Sequence, residues 1–386
     1  MQETDVALWL RLAHTPGLPP RQVRRMLAGL GSLEALEHAS TAQLAHWLRA
    51  DELIAWANSS TQGLQLRDAT WKWLATPPDG VAHRLIALGD PLYPAPLLHL
   101  SDPPLLLHAC ISEKCLLAGP QHLQTQWSTR SLAVVGSRNA TPQGCLNARN
   151  LSLSLAEQGW TIVSGMASGI DAAAHAGALD AKGTGPLPTV GVVGTGLDRN
   201  YPRQNQALFE RVKTAGLLLS EHPLGTPPLA AHFPRRNRLI AALGLGTLVV
   251  EAAPQSGSLI TAKLAADLGR EVFAIPGSIH LTASKGCHAL IRQGAVLVET
   301  VSDILAEFPD SITSPLVASI AVGKAQAING PHQQLLQAMG TDPISVETLC
   351  LRLRSAAQDI QTQLLDLELE GAVATLPGGL VQRLAS

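Results

Sequence analysis

The chain has 386 residues, more than one ordinary domain holds, so two or three domains are expected. With 46% hydrophobic and 15% charged residues it is not a disordered chain, and its longest strongly apolar window, near residues 239–250, is only about half the length of a membrane-spanning helix. The formal net charge of −2 argues weakly against a general nucleic-acid binder.

The charge is unevenly distributed along the chain. Residues 130–300 contain 15 Lys and Arg against 10 Asp and Glu, which leaves 13 basic and 20 acidic residues for the rest. The central region is therefore the basic one, and a partner that carries phosphates is most plausible there.

The cysteines and the first residues bear on location. The five cysteines are odd in number, and their spacing fits neither a disulfide framework nor a zinc site. The N-terminal stretch carries acids where a signal peptide carries bases. A reducing cytoplasm is the expected location.

Residues 1–75 predict a small helical domain with four helices, in DVALWLRLAHT, PPRQVRRMLAGLG, SLEALEHA and TAQLAHWLRA. The stretch TPGLPPRQVRRMLAGLG resembles a helix-hairpin-helix unit, in which a glycine-bearing hairpin offers backbone amides to a DNA phosphate. The second hairpin glycine is replaced here, which leaves Gly17-Leu18-Pro19. A plain packing module is therefore favoured over a DNA contact, and both interpretations stay open.

Seven short apolar runs between residues 131 and 299 alternate with amphipathic segments of helical length. The runs are SLAVVG, TIVSG, TVGVVG, LLLSE, TLVVEA, EVFAIPG and AVLVE. Apolar runs without alternation suit strands buried on both faces, and strand-helix repetition suits a parallel sheet. The sequence predicts an α/β, doubly wound, Rossmann-like domain of about seven strands.

The loops that follow these strands define the expected site, because ligands of such sheets bind at the carboxyl ends of the strands. The first, second and fifth loops are small and hydroxylated, with one arginine: Gly136, Ser137, Arg138 and Asn139; Ser164 and Gly165; Ser256, Gly257 and Ser258. Small residues let an anion approach the backbone, and hydroxyls and arginines bind its oxygens. Several such loops together predict a string of phosphates.

The stretch HFPRRNR, after the fourth strand, puts Phe233 before three arginines and an asparagine: Arg235, Arg236, Asn237 and Arg238. Arginines at a helix N-terminus oppose the macrodipole unless anions or a buried acid compensate them. We expect phosphate binding here. We also expect Glu251, which ends the fifth strand, to pair with one of these arginines rather than act as a catalytic carboxylate.

Two further patterns are typical of catalysis or cofactor binding in other proteins. Asp171 and His175 lie four residues apart on one helix, but no third ligand or nucleophile is nearby, so neither a metal site nor a catalytic residue is expected. GTGLDRN lacks the third glycine of a dinucleotide fingerprint. No cofactor is expected.

The C-terminal part predicts a linker at 309–330 and a winged helix-turn-helix domain at 331–386, with three helices and a hairpin. Its would-be recognition helix, 355–370, holds four acids and no Lys or Arg, and the domain has three arginines against six acids. This is the wrong sign for a module that displaces counterions from DNA, so a protein partner is the better expectation.

Together, the central motifs resemble the DNA-processing protein A (DprA, or Smf) family. The resemblance is carried in order by VVGSRNATPQG, GWTIVSGMASGIDAAAHAGAL, VGVVGTGLDRNYPRQNQALF, HFPRRNRLIAALGLGTLVVEAAPQSGSLITAKLAADLG and KGCHALIRQGAVLV. LIALGDPLYPAPLLHLSDPPLLLHA resembles the family's lead-in to this domain, which sets its extent at 82–308, and LLDLELEGAVATLPGG resembles its winged helix.

The resemblance implies a protein, not an enzyme, that binds single-stranded DNA without strong sequence preference. It implies a homodimer formed through the Rossmann-like domain, and help in loading the RecA recombinase during natural transformation. Arg138 would hold a phosphate, Phe233 would stack on a base, and the arginines at 235, 236 and 238 would flank the strand. The helix start at 256–258 would hold another phosphate, with Lys263 as a supplementary charge.

The alternative is a nucleotide-binding or nucleotide-hydrolysing enzyme of the related phosphoribohydrolase type. Those enzymes carry a Pro-Gly-Gly-x-Gly-Thr loop followed by a catalytic glutamate. The equivalent region here, Pro254 to Leu259, reads PQSGSL and lacks both features. The sequence favours the DNA binder.

Overall fold

The computed structural model describes residues 2–57, 61–182, 185, 187–308, 332–339, 344–370, 372–376 and 379–383. These residues form an N-terminal group of helices, a large sheet with helices on its faces, and a small C-terminal unit of helices and strands. The predicted linker at 309–330 lies outside the described residues.

The N-terminal segment is helical as predicted, but its described residues form six helices rather than four. Its helices are α1 Glu3–His14, α2 Pro20–Leu30, α3 Leu33–Glu37, α4 Thr41–Leu44, α5 Ala50–Ala57 and α6 Thr61–Ala75. The predicted fourth helix stops at Leu44, and α5 starts at Ala50. The Glu52 carboxylate accepts a hydrogen bond from the Arg49 backbone N–H at 2.9 Å, which caps a new helix there.

The large sheet has nine strands in the order β1-β2-β6-β5-β4-β3-β7-β8-β9. They are β1 Val81–Ala87, β2 Leu106–Ser112, β3 Ser131–Val135, β4 Thr161–Ser164, β5 Thr189–Val193, β6 Leu217–Ser220, β7 Gly246–Val249, β8 Glu271–Ala274 and β9 Val296–Leu297. The last seven correspond to the seven predicted runs, and they pair in parallel. The predicted doubly wound α/β fold is confirmed.

Helices cover this sheet. They are α7 Glu113–Leu117, α8 Pro120–Thr129, α9 Pro142–Glu157, α10 Ile170–Asp180, α11 Gln206–Ala215, α12 His232–Leu243, α13 Gly257–Asp267, α14 Lys285–Arg292 and α15 Val301–Ala306, with short 3₁₀ turns at Ala95–His99, Arg203–Asn205 and Thr282–Ser284. No helix in the described part of the chain is long and apolar enough to cross a membrane.

Strands β1 and β2 extend the sheet in the antiparallel sense, which the sequence did not predict. Strand β2 pairs with β6 with His108 opposite Ser220, so the start of β2 and the end of β1 lie at the carboxyl edge of the parallel strands. Residues there, including Ala87, Leu105 and Leu106, share one hydrophobic cluster with the N-terminal helices. The N-terminal helices therefore pack at the edge of the sheet where ligands bind.

The C-terminal unit has the predicted winged-helix order. It consists of α16 Gln333–Met339, β10 Ile344–Ser345, α17 Val346–Leu353, α18 Ala357–Leu369, β11 Val373–Leu376 and β12 Leu380–Arg383, and its strands pair in the order β10-β12-β11. Its core contains Leu336, Leu349, Ile360 and Leu367. The predicted hairpin corresponds to β11 and β12.

Candidate nucleic-acid interface

A groove of about 360 Å³ lies at the carboxyl ends of β3, β4 and β7. Its walls come from the loops after these strands and from α12 and α13, and they include Gly136, Arg138, Ala167, Asp171, Arg236, Asn237, Ser256, Gly257 and Ser258. Seven of the fifteen predicted site residues thus line one cavity. The sheet topology predicts this convergence, because parallel strands end at the same edge.

The loop after β3 is held by close contact with the start of α10. Gly169 has φ +74, and a Cβ there would lie 2.3 Å from the Ser137 carbonyl oxygen, so only glycine permits this approach. The Ile170 N–H donates to the same carbonyl at 3.2 Å. The contact fixes the backbone of the loop and leaves Arg138 and Asn139 exposed.

Arg138 and Phe233 come from distant parts of the chain and meet at this groove. The Arg138 guanidinium carbon lies 5.3 Å from the centre of the Phe233 ring. Phe233 is half-buried; it packs on the Gly194 backbone, and the Tyr201 ring centre is 5.7 Å from its own. A supported aromatic ring beside an exposed cation can bind a base and its phosphate together.

Arg236 is buried, in contrast to the expectation that it flanks a DNA strand. Its guanidinium donates to the carbonyl oxygens of Gly165, at 2.6 Å, and of Val192. Burial lowers the pKa of Arg236 to about 10, a shift that the nearby Asp171 carboxylate opposes. A Cβ at Gly165 would lie 2.6 Å from the guanidinium nitrogens, so the glycine makes room for them. Arg236 supports the wall of the groove from inside the protein.

Asp171 completes this internal support. Its carboxylate accepts hydrogen bonds from the backbone N–H groups of Gly165, at 3.1 Å, and Ala167, at 3.4 Å. Burial raises the pKa of Asp171, while Arg236 and the two N–H groups act in the opposite direction. The backbone N–H of Gly165 is therefore already bonded to Asp171. This differs from the expectation that Gly165 faces a phosphate.

Arg238 is also placed inside the protein. One of its nitrogens donates to both carboxylate oxygens of Glu221 at 2.6 Å, and the other donates to the Asp102 carbonyl at 3.0 Å. Its side chain is 10% exposed, whereas that of Arg235 is 54% exposed and lies 3.6 Å from Glu221. Of the three arginines, Arg235 is the one open to a ligand.

The partner of Glu251 differs from the prediction. Its carboxylate accepts hydrogen bonds from the Thr141 N–H at 2.9 Å and the Thr141 hydroxyl at 2.5 Å, and no arginine of the HFPRRNR stretch pairs with it. Burial raises the pKa of Glu251, and the Thr141 bonds lower it. The predicted ion pair is wrong, because the acid that binds Arg238 is Glu221.

Ser164 is also unavailable to a ligand. Its side chain is fully buried within β4, and its hydroxyl donates to the Val134 carbonyl at 2.6 Å. The expected contact between this hydroxyl and DNA is not supported, since the hydroxyl already bonds to the neighbouring strand.

The start of α13 forms the opposite wall. Ser256 caps the helix: its hydroxyl accepts a bond from the Ser258 N–H at 3.4 Å and lies 2.7 Å from the Ser258 hydroxyl. Asn237 donates to the Gly257 carbonyl at 3.4 Å and so links α12 to α13. An 11-residue helix that begins at the groove offers N–H groups and a positive dipole end to an anion. Lys263 is exposed farther along α13.

Asp171 and His175 have separate partners. The His175 Nδ1 lies 2.7 Å from the Thr189 hydroxyl, and burial lowers the pKa of His175 to about 3. The pair thus shows no acid-base geometry. Among the described residues, no group of three or more His, Cys, Asp or Glu side chains is arranged to hold a metal ion.

Sequence reasoning missed three residues that organise the site. Thr141 binds Glu251, Gly169 allows the loop contact, and the Asn205 side chain donates to the carbonyls of Met166 and Ala167 at 3.0 and 3.2 Å. The Gly in ASGID and the Asn in PRQN were visible signals, but their contacts span about 30 to 40 residues, and the Thr141–Glu251 contact spans 110.

Two family models match the chain. The model of DNA recombination-mediator protein A matches residues 84–309, more than half of the chain, and the DprA winged helix domain matches residues 321–379. The chain belongs to the DprA family. The resemblance recognised in the sequence motifs is thereby confirmed.

Characterised relatives agree with this assignment. Protein Smf of Escherichia coli K12 is 35% identical over 98% of this chain and 96% of its own length. DNA processing protein DprA of Streptococcus pneumoniae R6 is 45% identical over 57% of this chain and 72% of its own length.

Solved structures of the family share the fold. The X-ray structure of DprA from Streptococcus pneumoniae superposes with a TM-score of 0.62 and 35% identity, over 78% of this chain and 96% of that one. A DprA structure from Helicobacter pylori, described as showing a single-stranded DNA binding mode, gives a TM-score of 0.50 and 26% identity over 59% and 96% of the two chains.

Proposed function

We propose that this DprA-family protein binds single-stranded DNA in the groove at the carboxyl edge of its sheet. The observation that carries the proposal is the exposed Arg138 beside the Phe233 ring, 5.3 Å from its centre, at a groove whose other wall is the start of α13. A cation next to an aromatic ring serves one nucleotide, and the helix start serves the phosphate of another.

Binding is expected to be weakly selective for sequence and strongly sensitive to salt. The groove offers arginine, backbone amides and hydroxyls, which suit phosphates, and an aromatic face, which suits any base. The Helicobacter pylori structure, described as binding single-stranded DNA, supports this proposal by its similarity in fold.

The finer activities of the family are proposed on the same basis. The matching model is described as a recombination mediator, which supports a role in loading the RecA recombinase onto the bound strand during transformation. A homodimer through the Rossmann-like domain is proposed from the family membership alone. The cytoplasm is the proposed location, in accord with five free cysteines.

We propose that the protein acts by binding rather than by catalysis. The carboxylate that a nucleotide hydrolase would use has its nearest counterpart in Glu251, which is engaged by Thr141. Incubation with nucleoside monophosphates and analysis for released base tests the enzymatic alternative; release that disappears in Glu251→Gln would favour that alternative.

The direct test is fluorescence anisotropy with labelled oligo-dT and with its duplex, over a salt series. We expect preference for the single strand, and we expect Arg138→Gln to lower the salt slope by about 0.7, the value of one phosphate contact on single strands. Lys182→Gln, an exposed cation after α10 at the opposite edge of the sheet, is the control. Equal losses in the two variants would contradict the proposed site.

A further inference from the structure

Helix α2 of the N-terminal group presents three arginines on one face. Arg21, Arg24 and Arg25 are exposed, at the spacing i, i+3 and i+4, while Val23 and Met26 are fully buried on the other face. Within the described part of the chain, none of the three arginines has a carboxylate within ion-pair distance. The face is therefore positively charged and unpaired.

Three of the acids of the N-terminal helices have partners away from α2, whereas Glu34 and Glu37 of α3 stay exposed. Glu52 pairs with Arg49 at 2.8 Å, Asp68 pairs with Arg67 at 2.7 Å, and Asp5 accepts the N–H of Gln2. The net charge of this part of the chain thus hides a local excess of positive charge on α2. The exposed residues of this helix include no large apolar side chain, which disfavours a hydrophobic protein interface.

This face lies at the edge of the sheet that carries the groove. Val23 and Met26 belong to the hydrophobic cluster that contains Leu105 and Leu106, at the start of β2 and the carboxyl edge of the parallel strands. Arg238 donates to the Asp102 carbonyl at 3.0 Å, and Asp102 lies three residues before Leu105, so the Arg238 end of α12 is beside this cluster. Helix α2 thus continues from the Arg238 end of the groove.

The hairpin that joins α1 to α2 lies on the same side. Its Leu18 is buried in the same cluster, with Leu105 and Leu106. His222 stacks on His232, with ring centres 4.1 Å apart, in the segment that leads to Arg235. The hairpin therefore packs on the start of β2, and the two histidines lie on the approach to Arg235.

The carboxylates at this junction are already compensated. Glu221 receives both bonds from one Arg238 nitrogen at 2.6 Å, and the Asp102 carboxylate lies 3.7 Å from the other. The two acids between Arg235 and α2 both face Arg238, which reduces the repulsion that a polyanion would meet on this route.

We propose that the exposed face of α2 is a second section of the DNA path, on which the phosphates of a single strand that leaves the groove past Arg235 contact Arg21, Arg24 and Arg25. This inference rests on the proposed function of the groove. It gives the helix-hairpin-helix-like segment a role in lengthening the binding site rather than in recognising duplex DNA. The partner is the same strand that the groove holds.

The test compares oligo-dT of about 6 nucleotides, enough for the groove, with oligo-dT of about 25 nucleotides. The variant Arg24→Gln/Arg25→Gln is matched by Lys114→Gln/Lys182→Gln, which removes two exposed charges at the opposite edge of the sheet. For the long oligomer we expect the first variant to lose about 5- to 25-fold in affinity at 0.1 M salt, and about 1.4 in salt slope. For the short oligomer we expect both variants to match the wild type.

The outcomes separate this inference from the proposed function. One outcome overturns the inference and leaves the groove proposal standing: the wild type binds the short oligomer, and the α2 variant has the same affinity for the long oligomer as the control variant. An equal loss on both oligomers, or a loss confined to duplex DNA, would also overturn it. If the wild type binds neither oligomer, both proposals fail. Thermal melts of the variants, whose changed side chains are exposed, verify that each is folded.

Discussion

Arg236 and Arg238 of α12 are buried, whereas Arg235 is exposed. Arg236→Gln is therefore the most informative substitution, because it tests whether a buried arginine is structural. The guanidinium of Arg236 donates to the Gly165 and Val192 carbonyls, and its charge is the main one that opposes the effect of burial on the Asp171 carboxylate. Its removal leaves a buried carboxylate without its main opposing charge and takes a donor from two carbonyls. Losing one partner of a buried ionic contact typically costs about 3–5 kcal/mol.

That cost is a large share of the roughly 5–15 kcal/mol that stabilises an ordinary domain. We therefore expect Arg236→Gln to shift the urea midpoint strongly downwards, as followed by circular dichroism. Arg138 is exposed at the same groove, so Arg138→Gln should weaken DNA binding but change the free energy of unfolding by no more than about 0.5 kcal/mol, which is a small shift of the urea midpoint. The chain has several domains, so midpoints are compared rather than a single global free energy.

The stability and the DNA affinity of Arg236→Gln together decide whether its role is internal. If Arg236→Gln unfolds like the wild type and loses DNA affinity to the same extent as Arg138→Gln, then Arg236 contacts the strand directly. The internal role that its hydrogen bonds indicate would then be wrong.

Three further predictions concern the acid limb of stability, the loop contact and the C-terminal domain. Burial lowers the pKa of His175 to about 3, below its unfolded value near 6.5, so its contribution to stability is complete above 6.5 and is lost as pH falls towards 3, by up to about 1.4 kcal/mol per pH unit. His175→Gln should flatten this part of a urea-midpoint profile, and an identical profile would contradict the assignment. Gly169→Ala should cost about 1–3 kcal/mol in thermal or urea stability and weaken oligo-dT binding, since the new Cβ would meet the Ser137 carbonyl oxygen; wild-type values in both assays would refute the loop argument. Deletion of residues 331–386 should change oligo-dT affinity by less than about twofold because this domain is acidic; a large loss in a truncated protein that still folds would show that the domain contributes to binding.

The parallel core of the fold is predictable because its signals are local. Buried parallel strands must be apolar on both faces, so runs such as SLAVV and TLVV stand out between amphipathic helices. Strands β1 and β2 escaped this reasoning, since the Pro-rich segment DPLYPAPLLHLSDPP between them looks like an irregular lead-in. Their place in the sheet depends on pairing with β6, about one hundred residues away.

The sequence predicted which loops form the site, but it did not predict which side chains in them bind to each other. Strand ends gave the residues around the groove, since topology brings those ends together. Which arginine is exposed depends on contacts over long sequence distances: Arg236 reaches Gly165, and Glu251 reaches Thr141, 110 residues earlier. Residue spacing contains no information about such contacts, so the sequence could indicate a buried pair but not its members.

The central claim, that a single strand lies along this groove, is tested most directly by photocrosslinking. Oligo-dT carrying 5-iododeoxyuridine is irradiated with the protein, and the attached peptides are identified by mass spectrometry. The account predicts adducts on Phe233 and on the peptide around Arg138, which lies beside that ring. Adducts confined to the acidic C-terminal domain, with none on these two segments, would contradict it.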